Sequence, residues 1–330
     1  MATLPNFLYE GIVAKVLSGF HMLDKSIKNT EAFLGLFYAP EIEAHELTKK
    51  TKLSLYILRI DGGRFDYERM YSELGNASIS YVFSRSKFEN IEPAKYHEYV
   101  KEAQESFRNA DVNDGEGGEL FLYCFLETHL NAPKILSKME LKTAANDYVK
   151  GADGIHLLDL GNGNFHLIFG ESKMIGDSTE KDSSFRKAIK DAFDSIKKVE
   201  TEGIGGEINL VDSHLMKETF SEEVTGYLKR ILKPSALDTS VTKANAFGIF
   251  VGFEIDITEW DLKNMSEDEF SSQLKFKVKK AVESRYKYIE EQIEEHNLSG
   301  YHFYIYAVPF LKNKETNIDK TRKEIIRKLQ

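Results

Sequence analysis

The residues best suited to chemistry are Asp153, Glu171 and Lys173, which flank a predicted β-hairpin. The turn is expected at Asn162-Gly163, because Asn and Gly tolerate positive φ and favour tight turns between strands. Since this turn lies midway between Asp153 and Glu171, the two carboxylates are predicted to be cross-strand neighbours. Side chains alternate along a strand, so Glu171 and Lys173 should share a face while Ser172 points away. The sequence therefore predicts two acids and a lysine in one pocket.

Such a pocket has a chemical use in phosphodiester hydrolysis. Two carboxylates within about 5 Å of each other repel unless they share a proton or a divalent cation. A site that offers hard oxygen ligands but few protein contacts suits Mg²⁺, because Mg²⁺ retains waters and accepts phosphate oxygens. Mn²⁺ is expected to be able to substitute for it. We expect Asp153 and Glu171 to hold the cation, with the carbonyl of Ser172 as a third ligand. Lys173, expected to stay protonated beside two acids, would orient the attacking water or offset charge on the phosphate.

Each of these residues also has a purely structural interpretation. Glu171 and Lys173 could form an ion pair on an exposed edge strand, although the apolar residues before Glu171 favour a central strand. Asp153 lies close to two glycines and could be a turn residue. His156 is predicted to lie on the opposite strand face from Asp153 and to be a structural histidine. Cys124, the single cysteine, lies in an apolar run and is predicted to be a buried thiol.

The elements around the hairpin follow the order helix, strand, strand, helix. Glu119–Leu130 is apolar around most of a helical circumference and is predicted to form a buried helix. Gly151–Leu160 and Phe165–Ile168 are predicted strands, and Lys181–Lys198 is a predicted amphipathic helix. The acidic, Gly-rich stretch Asp111–Gly118 cannot continue a helix and marks a predicted boundary between an N-terminal α/β region, residues 1–112, and a second domain, residues 113–330.

The remaining segments predict a mixed sheet flanked by helices, which makes the fold class α/β. Outside the hairpin, the predicted strands are Leu53–Ile60, Ile79–Phe83, Glu207–Val211, Phe247–Ile257 and His302–Phe310, and the predicted helices are Ala94–Asn109, Ser221–Leu232 and Glu267–His296. An Asp-Gly-Gly turn at residues 61–63 follows the first of these strands. Residues 1–110 either add strands to the sheet or form a docking surface for a partner, and the sequence does not choose between the two.

Composition limits how the protein can contact other molecules. Of the 330 residues, 42% are hydrophobic, which is enough for a buried core. The net charge of −9 is unsuited to a protein that coats nucleic acid by bulk electrostatics. Three basic stretches could contact DNA locally: Lys181–Lys198, Lys275–Lys287 and Lys320–Lys328. Each is also typical of the solvated face of an amphipathic helix. No apolar run reaches the roughly 18 residues of a membrane span, and the N-terminus lacks the features of a signal peptide. We therefore expect a cytoplasmic protein.

The pattern of Asp153 followed by Glu171-Ser172-Lys173 resembles that of the PD-(D/E)xK nuclease superfamily. The resemblance implies a restriction-endonuclease-like core of helix, β-hairpin, strand and helix within residues 113–330, with Ala152 in place of the motif proline. It also implies a further metal-site acid from the first core helix. Glu119 fits that place, and Glu127, two helical turns later on the same face, is the alternative.

Three runs are similar to the HamA family, the effector subunits of the Hachiman antiphage defence system: Gly118–Tyr123, Lys150–His156 and Phe169–Lys173. This resemblance implies a DNA nuclease that is restrained by a superfamily 2 helicase partner, HamB, and released during phage infection. The predicted function is therefore a Mg²⁺-dependent DNA endonuclease or nickase whose site contains Glu119, Asp153, Glu171 and Lys173. Two alternatives are a catalytically inert scaffold or regulatory subunit of a helicase complex, and an RNA-cutting toxin.

Overall fold

The protein is described by a computed structural model that covers residues 23–107, 115–137, 139, 151–176, 183–214, 222–235 and 240–330. Its strands are β1 (Ile42–Thr48), β2 (Thr51–Leu55), β3 (Ile60–Asp61), β4 (Arg64–Phe65), β5 (Lys134–Ser137), β6 (Gly154–Gly161), β7 (Asn164–Ile175), β8 (Thr242–Asp256) and β9 (His302–Lys312). Its helices are α1 (Thr30–Leu34), α2 (Tyr67–Val82), α3 (Arg85–Glu89), α4 (Tyr96–Ser106), α5 (Glu116–Thr128), α6 (Ser184–His214), α7 (Glu222–Leu232), α8 (Glu267–Glu283), α9 (Tyr286–Glu295) and α10 (Ile318–Leu329).

Seven strands form one mixed sheet in the order β1-β2-β9-β8-β7-β6-β5. The four inner strands β2, β9, β8 and β7 run parallel to one another, and the pairs at both edges are antiparallel. The predicted mixed sheet flanked by helices is therefore confirmed. The separate two-stranded hairpin of β3 and β4 contains the predicted turn at residues 61–63, where Gly62 and Gly63 have φ of 59° and 75°.

The central strands are buried on both faces because helices cover each side of the sheet. On one face, the ring of Phe121 in α5 stacks on Phe250 of β8, with ring centroids 5.0 Å apart. On the opposite face, Phe193 in α6 contacts Phe303 of β9 at 5.3 Å between centroids. Burial on both faces explains the continuous apolar runs in β8 and β9. Since α5 and α6 both pack against β7, they flank the hairpin that carries the residues of interest.

The strand predicted at Ile79–Phe83 is wrong, because residues through Val82 belong to α2. Asp66 caps this helix by accepting a hydrogen bond from the backbone N–H of Arg69 at 3.1 Å. Buried residues then recur at helical spacings of three or four, at Met70, Leu74, Ala77 and Tyr81. The β-branched and aromatic residues at the end of α2 suggest a strand only when they are considered without the turns that precede them.

The strand predicted at Glu207–Val211 is also wrong, because it lies in the second part of α6. A short alternation of polar and apolar residues does not distinguish a strand from an amphipathic helix. The single helix predicted at Glu267–His296 is in fact two helices, α8 and α9, which are separated at Ser284 and Arg285. The predicted strands at Phe247–Ile257 and His302–Phe310 are confirmed within β8 and β9.

The acidic stretch predicted as a boundary is partly helical. α5 begins at Glu116, so Gly117 and Gly118 lie inside the helix and not in a loop. Close packing explains both glycines: a Cβ at Gly117 would lie 3.0 Å from Ile325 Cγ2, and one at Gly118 would lie 3.3 Å from Ser172 Oγ. The division between residues 112 and 113 lies outside the described residues and stays a prediction.

The N-terminal region contributes directly to the sheet. β2 pairs with β9 in parallel, and β1 pairs with β2, so residues 42–55 extend the same sheet that carries the hairpin. This answers part of the question that the sequence left open about residues 1–110. None of the helices in the described residues is long and apolar enough to cross a membrane.

Candidate active site

The hairpin of β6 and β7 forms with the predicted turn and register. Asn162 and Gly163 both have positive φ, 53° and 75°, as the tight turn requires. Pairs such as Ile155 with Phe169 set a register that brings Asp153, just before β6, opposite Glu171. The backbone N–H of Asp153 donates to the carbonyl of Gly170 at 2.9 Å, which fixes Asp153 beside β7.

Glu171 and Lys173 share one face of β7 and form an ion pair. Lys173 Nζ lies 2.6 Å from Glu171 Oε1. Glu171 is only 6% exposed, so its charge is largely removed from water. Burial by itself lowers the pKa of Lys173, but Glu171 and, more weakly, Asp153 outweigh it and raise that pKa above its ordinary value. Lys173 is therefore a fixed cation at neutral pH, and it is not a general base in this arrangement.

Ser172 lies on the other face of β7, as the alternation predicts, but it has a role that the sequence reasoning missed. Both its backbone N–H and its hydroxyl donate to Asp153 Oδ2, at 2.8 and 3.0 Å. Asp153 precedes the regular part of β6, so strand alternation does not dictate where its carboxylate points. The two bonds hold one carboxylate oxygen and so restrict the direction of the other.

The structure distinguishes the two candidate acids of α5. Glu119, in the first turn, lines the same cleft as Asp153 and Glu171, and its Oε2 accepts a hydrogen bond from the hydroxyl of Tyr81 at 2.9 Å. Glu127 is fully buried elsewhere, where it accepts hydrogen bonds from the backbone N–H groups of Ser26 and Lys134, both at 2.7 Å. Glu127 therefore has a structural function, and Glu119 is the acid of α5 that reaches the cleft.

Tyr81 remains a hydrogen-bond donor to Glu119 across the physiological pH range. Burial, together with the neighbouring charges of Glu119 and Asp153, raises the pKa of Tyr81 well above its ordinary value. The sequence reasoning missed Tyr81 because it assigned this segment to a strand. No signal in the sequence alone connects the end of α2 to the start of α5.

The cleft is an open cavity of about 580 Å³ between the hairpin, the start of α5 and α6. The α6 wall contributes Lys198, Glu202 and Glu207. The helix bends at Gly203, where φ is 124° and ψ is 97°, and its second part reaches Gly151. A Cβ at Gly151, which has φ of 120°, would collide with Glu207 Oε1.

The charge of the cleft favours a cation. Its described lining contains the carboxylates of Glu119, Asp153, Glu171, Glu202 and Glu207 but only the ammonium groups of Lys173 and Lys198. Without a counter-ion, these five acids would repel a phosphate. Phosphate chemistry in this cleft therefore needs an additional positive charge.

The donors present fit a hydrated Mg²⁺ better than a metal enclosed by protein ligands. Within the described ranges, no group of three or more His, Cys, Asp or Glu side chains is close enough to hold a metal by itself. Mg²⁺ is commonly bound through one or two carboxylates, with water and substrate phosphate completing the shell. Asp153 and Glu171, on facing strands at the hairpin end, could supply the two hard oxygen donors that such a site requires.

The histidine and the cysteine considered above have the structural roles that the sequence predicts. His156 Nδ1 lies 2.8 Å from the carbonyl of Ala132. Burial lowers the pKa of His156 to about 4, so the ring is neutral at pH 7. Cys124 is fully buried in α5, and burial raises the pKa of its thiol well above the ordinary value. Neither residue lines the cleft.

Comparison with known proteins supplies one family. The HamA family model matches residues 32–329, which is nearly the whole chain. The match extends far beyond the three runs around the hairpin and includes the N-terminal strands of the sheet. No curated protein matches the sequence.

Proposed function

Because the chain belongs to the HamA family, we propose that it is a metal-dependent DNA endonuclease or nickase that acts as the effector of an antiphage system. HamA is a Hachiman defence component, and membership of this family supports the antiphage role. The observation that supports the chemistry is the convergence of Asp153, Glu171 and Lys173 in one acidic cleft. A helicase partner that restrains the nuclease is the further part of this proposal.

Each residue of the cleft has a role that follows from its position. A bound Mg²⁺, or Mn²⁺ in its place, would polarise the phosphate and lower the pKa of a bound water. Asp153 and Glu171 would hold the ion, with the carbonyl of Ser172 as a further oxygen donor and the carboxylate of Glu119 contacting the hydrated ion through a bound water. Lys173, as a fixed cation, would offset the negative charge that develops on the phosphate or orient the attacking water.

Lys198 is the candidate for contact with a neighbouring phosphate. It lies on the cleft-lining face of α6, and within the described part of the chain it forms no ion pair or hydrogen bond. By contrast, the ammonium of Lys197 lies 2.8 Å from Glu200 Oε2. One unpaired lysine gives weak, local attraction for DNA in a chain of net charge −9. A DNA-holding helicase partner would compensate for this weakness.

Cleavage of supercoiled plasmid by the purified chain tests the proposal. We expect Mg²⁺-dependent nicking or linearisation that EDTA abolishes and that the helicase partner suppresses. Asp153→Asn should abolish cutting, because it removes a carboxylate charge from the metal site. The matched control is Asp159→Asn, since Asp159 lies exposed in β6 and, among the described residues, bonds only the local backbone N–H of Gly161.

The two alternatives give different outcomes in the same assay. An inert scaffold leaves the plasmid supercoiled with Mg²⁺, with or without the partner and ATP. An RNA-cutting toxin degrades total RNA in a parallel digestion while the plasmid stays intact. Either outcome contradicts the proposed DNA nuclease.

A further inference from the structure

The end of α2 places a buried tyrosine against the acid of α5. Tyr81 is 3% exposed, and its hydroxyl donates to Glu119 Oε2 at 2.9 Å. Its ring packs against Phe107, with centroids 6.3 Å apart, and against Tyr123, with centroids 5.4 Å apart. Because the ring has aromatic neighbours, the hydroxyl has little freedom to leave Glu119.

A buried lysine anchors the backbone around Tyr81. Lys134 in β5 is 1% exposed, and its ammonium donates to the carbonyl of Ser80 at 2.8 Å and to that of Phe83 at 2.7 Å. These carbonyls lie on both sides of Tyr81 at the C-terminal end of α2, where helix carbonyls lack partners within the helix. A fixed positive charge at this end of a helix is also electrostatically favourable. The position of Tyr81 is therefore tied to the sheet through β5.

This anchoring has a consequence for Glu119. A glutamate side chain has three rotatable bonds and loses considerable rotamer entropy when a metal orders it. The bond to Tyr81 orders one oxygen of the carboxylate before any metal arrives, and it limits the orientation of the other oxygen. A ligand ordered in advance binds more tightly than a mobile one, because less entropy is lost on binding.

We propose that Tyr81 is a positioning residue that fixes the carboxylate of Glu119 for a divalent cation in the cleft. This inference rests on the proposed function, since it takes Glu119 as a carboxylate that contacts the hydrated ion of the metal site through a bound water. It assigns a role at the site to the end of α2, which lies in the N-terminal region of the chain. Partners of this kind around metal ligands typically change metal affinity by about 10–100-fold when they are removed.

The test compares two buried tyrosine hydroxyls. Tyr81→Phe removes the hydroxyl that bonds Glu119, and Tyr123→Phe removes a neighbouring hydroxyl that bonds Ser80 Oγ at 3.0 Å. Mn²⁺ is titrated into the full chain by calorimetry, without DNA. We expect Tyr81→Phe to weaken Mn²⁺ binding about 10-fold or more and Tyr123→Phe to leave it unchanged. Both variants should lower the melting temperature, because each loses one buried hydrogen bond.

A double-mutant comparison separates positioning from general loosening of the fold. Glu119→Gln should weaken Mn²⁺ binding by itself, and adding Tyr81→Phe should then cause no further loss, because Tyr81 acts through Glu119. A further loss in the double variant would overturn the inference, as would unchanged Mn²⁺ affinity in Tyr81→Phe. Either result leaves the nuclease proposal standing if the wild-type chain binds Mn²⁺ and cuts plasmid. A wild-type chain that neither binds Mn²⁺ nor cuts would overturn both.

Discussion

Replacing Lys173 with Met tests the chemistry of the cleft, because it removes the ammonium and keeps the apolar stem. In the wild-type protein that ammonium lies 2.6 Å from the Oε1 atom of Glu171, whose side chain is 8% exposed. The variant leaves Glu171 buried beside Asp153 without its nearest cation. We therefore expect effects on stability, on metal binding and on cleavage, each with its own size.

The stability effect follows from the burial of the pair. Removing one partner of a fully buried ion pair costs about 3–5 kcal/mol, but 26% of the Lys173 side chain is exposed and water screens part of this cost. About 1–3 kcal/mol remains, which corresponds to a fall of roughly 1–4 °C in melting temperature for a chain of 330 residues. Loss of one fixed charge at the phosphate should slow cleavage by about 10²–10³-fold.

Whereas stability and cleavage should decrease in Lys173→Met, the stabilisation of the protein by a bound divalent cation should increase. Lys173 and a divalent cation both neutralise Glu171, so the cation has more to gain where the lysine is missing. Adding Mn²⁺ should therefore raise the melting temperature of Lys173→Met by more than it raises that of the wild type. Thermal melts with and without Mn²⁺, run beside the plasmid assay, measure all three effects.

The control for Lys173→Met is Lys190→Met. Lys190 pairs with Asp194 on the exposed surface of α6, where an ion pair contributes little. This control should keep the wild-type cutting rate and the wild-type response to Mn²⁺. Cleavage at the wild-type rate by Lys173→Met, or a Mn²⁺ stabilisation no larger than that of the wild type, would refute the reasoning.

Three further predictions concern two buried residues, Glu127 and His156, and the cleft residue Lys198. Glu127→Gln should destabilise the fold by about 1–3 kcal/mol in urea melts, because the side-chain NH₂ of Gln cannot accept a hydrogen bond and one of the backbone N–H groups of Ser26 and Lys134 loses its acceptor. Mn²⁺ affinity should stay unchanged, and its loss would restore Glu127 as the helix acid. Lys198→Ala should reduce the slope of log DNA affinity against log salt concentration by about 1, the value for one lost phosphate contact. Affinity is measured with Ca²⁺ in place of Mg²⁺. Lys197→Ala, the paired neighbour, should leave that slope unchanged, and equal slopes for both variants would count against the contact. The pKa of His156 is about 4 in the folded chain, against an ordinary value of 6.5 for an unburied histidine, so the unfolded chain binds more protons between these values. The contribution of His156 to the free energy of unfolding is thus fully present above pH 6.5 and falls by about 3 kcal/mol as the pH is lowered toward 4. His156→Gln should lack that part of the pH dependence when urea melts are measured at each pH.

The hairpin could be predicted from sequence because its determinants are local. Asn162 and Gly163 specify the turn, and alternation then fixes which side of β7 Glu171 and Lys173 occupy. The same reasoning could not fix the carboxylate of Asp153, because that residue precedes the regular strand. Its bonds to Ser172 depend on the geometry at the hairpin end, which has no local sequence signature.

The rest of the cleft could not be predicted because it depends on contacts between distant segments. Tyr81 and Glu119 are 38 positions apart and meet only because α2 packs beside α5. Glu207 enters the cleft because α6 bends at Gly203, whereas its local alternation suggests a strand. In both cases the local pattern predicts a strand, but tertiary packing determines that the segment is helical.

The claim that the hairpin end holds a divalent cation is tested most directly by diffraction from crystals soaked in Mn²⁺. We predict an anomalous peak between the carboxylates of Asp153 and Glu171, within about 2.0–2.3 Å of an oxygen from each, and its loss in Asp153→Asn crystals. A fully occupied soak that leaves this position empty, or that places the ion away from both carboxylates, would contradict the account.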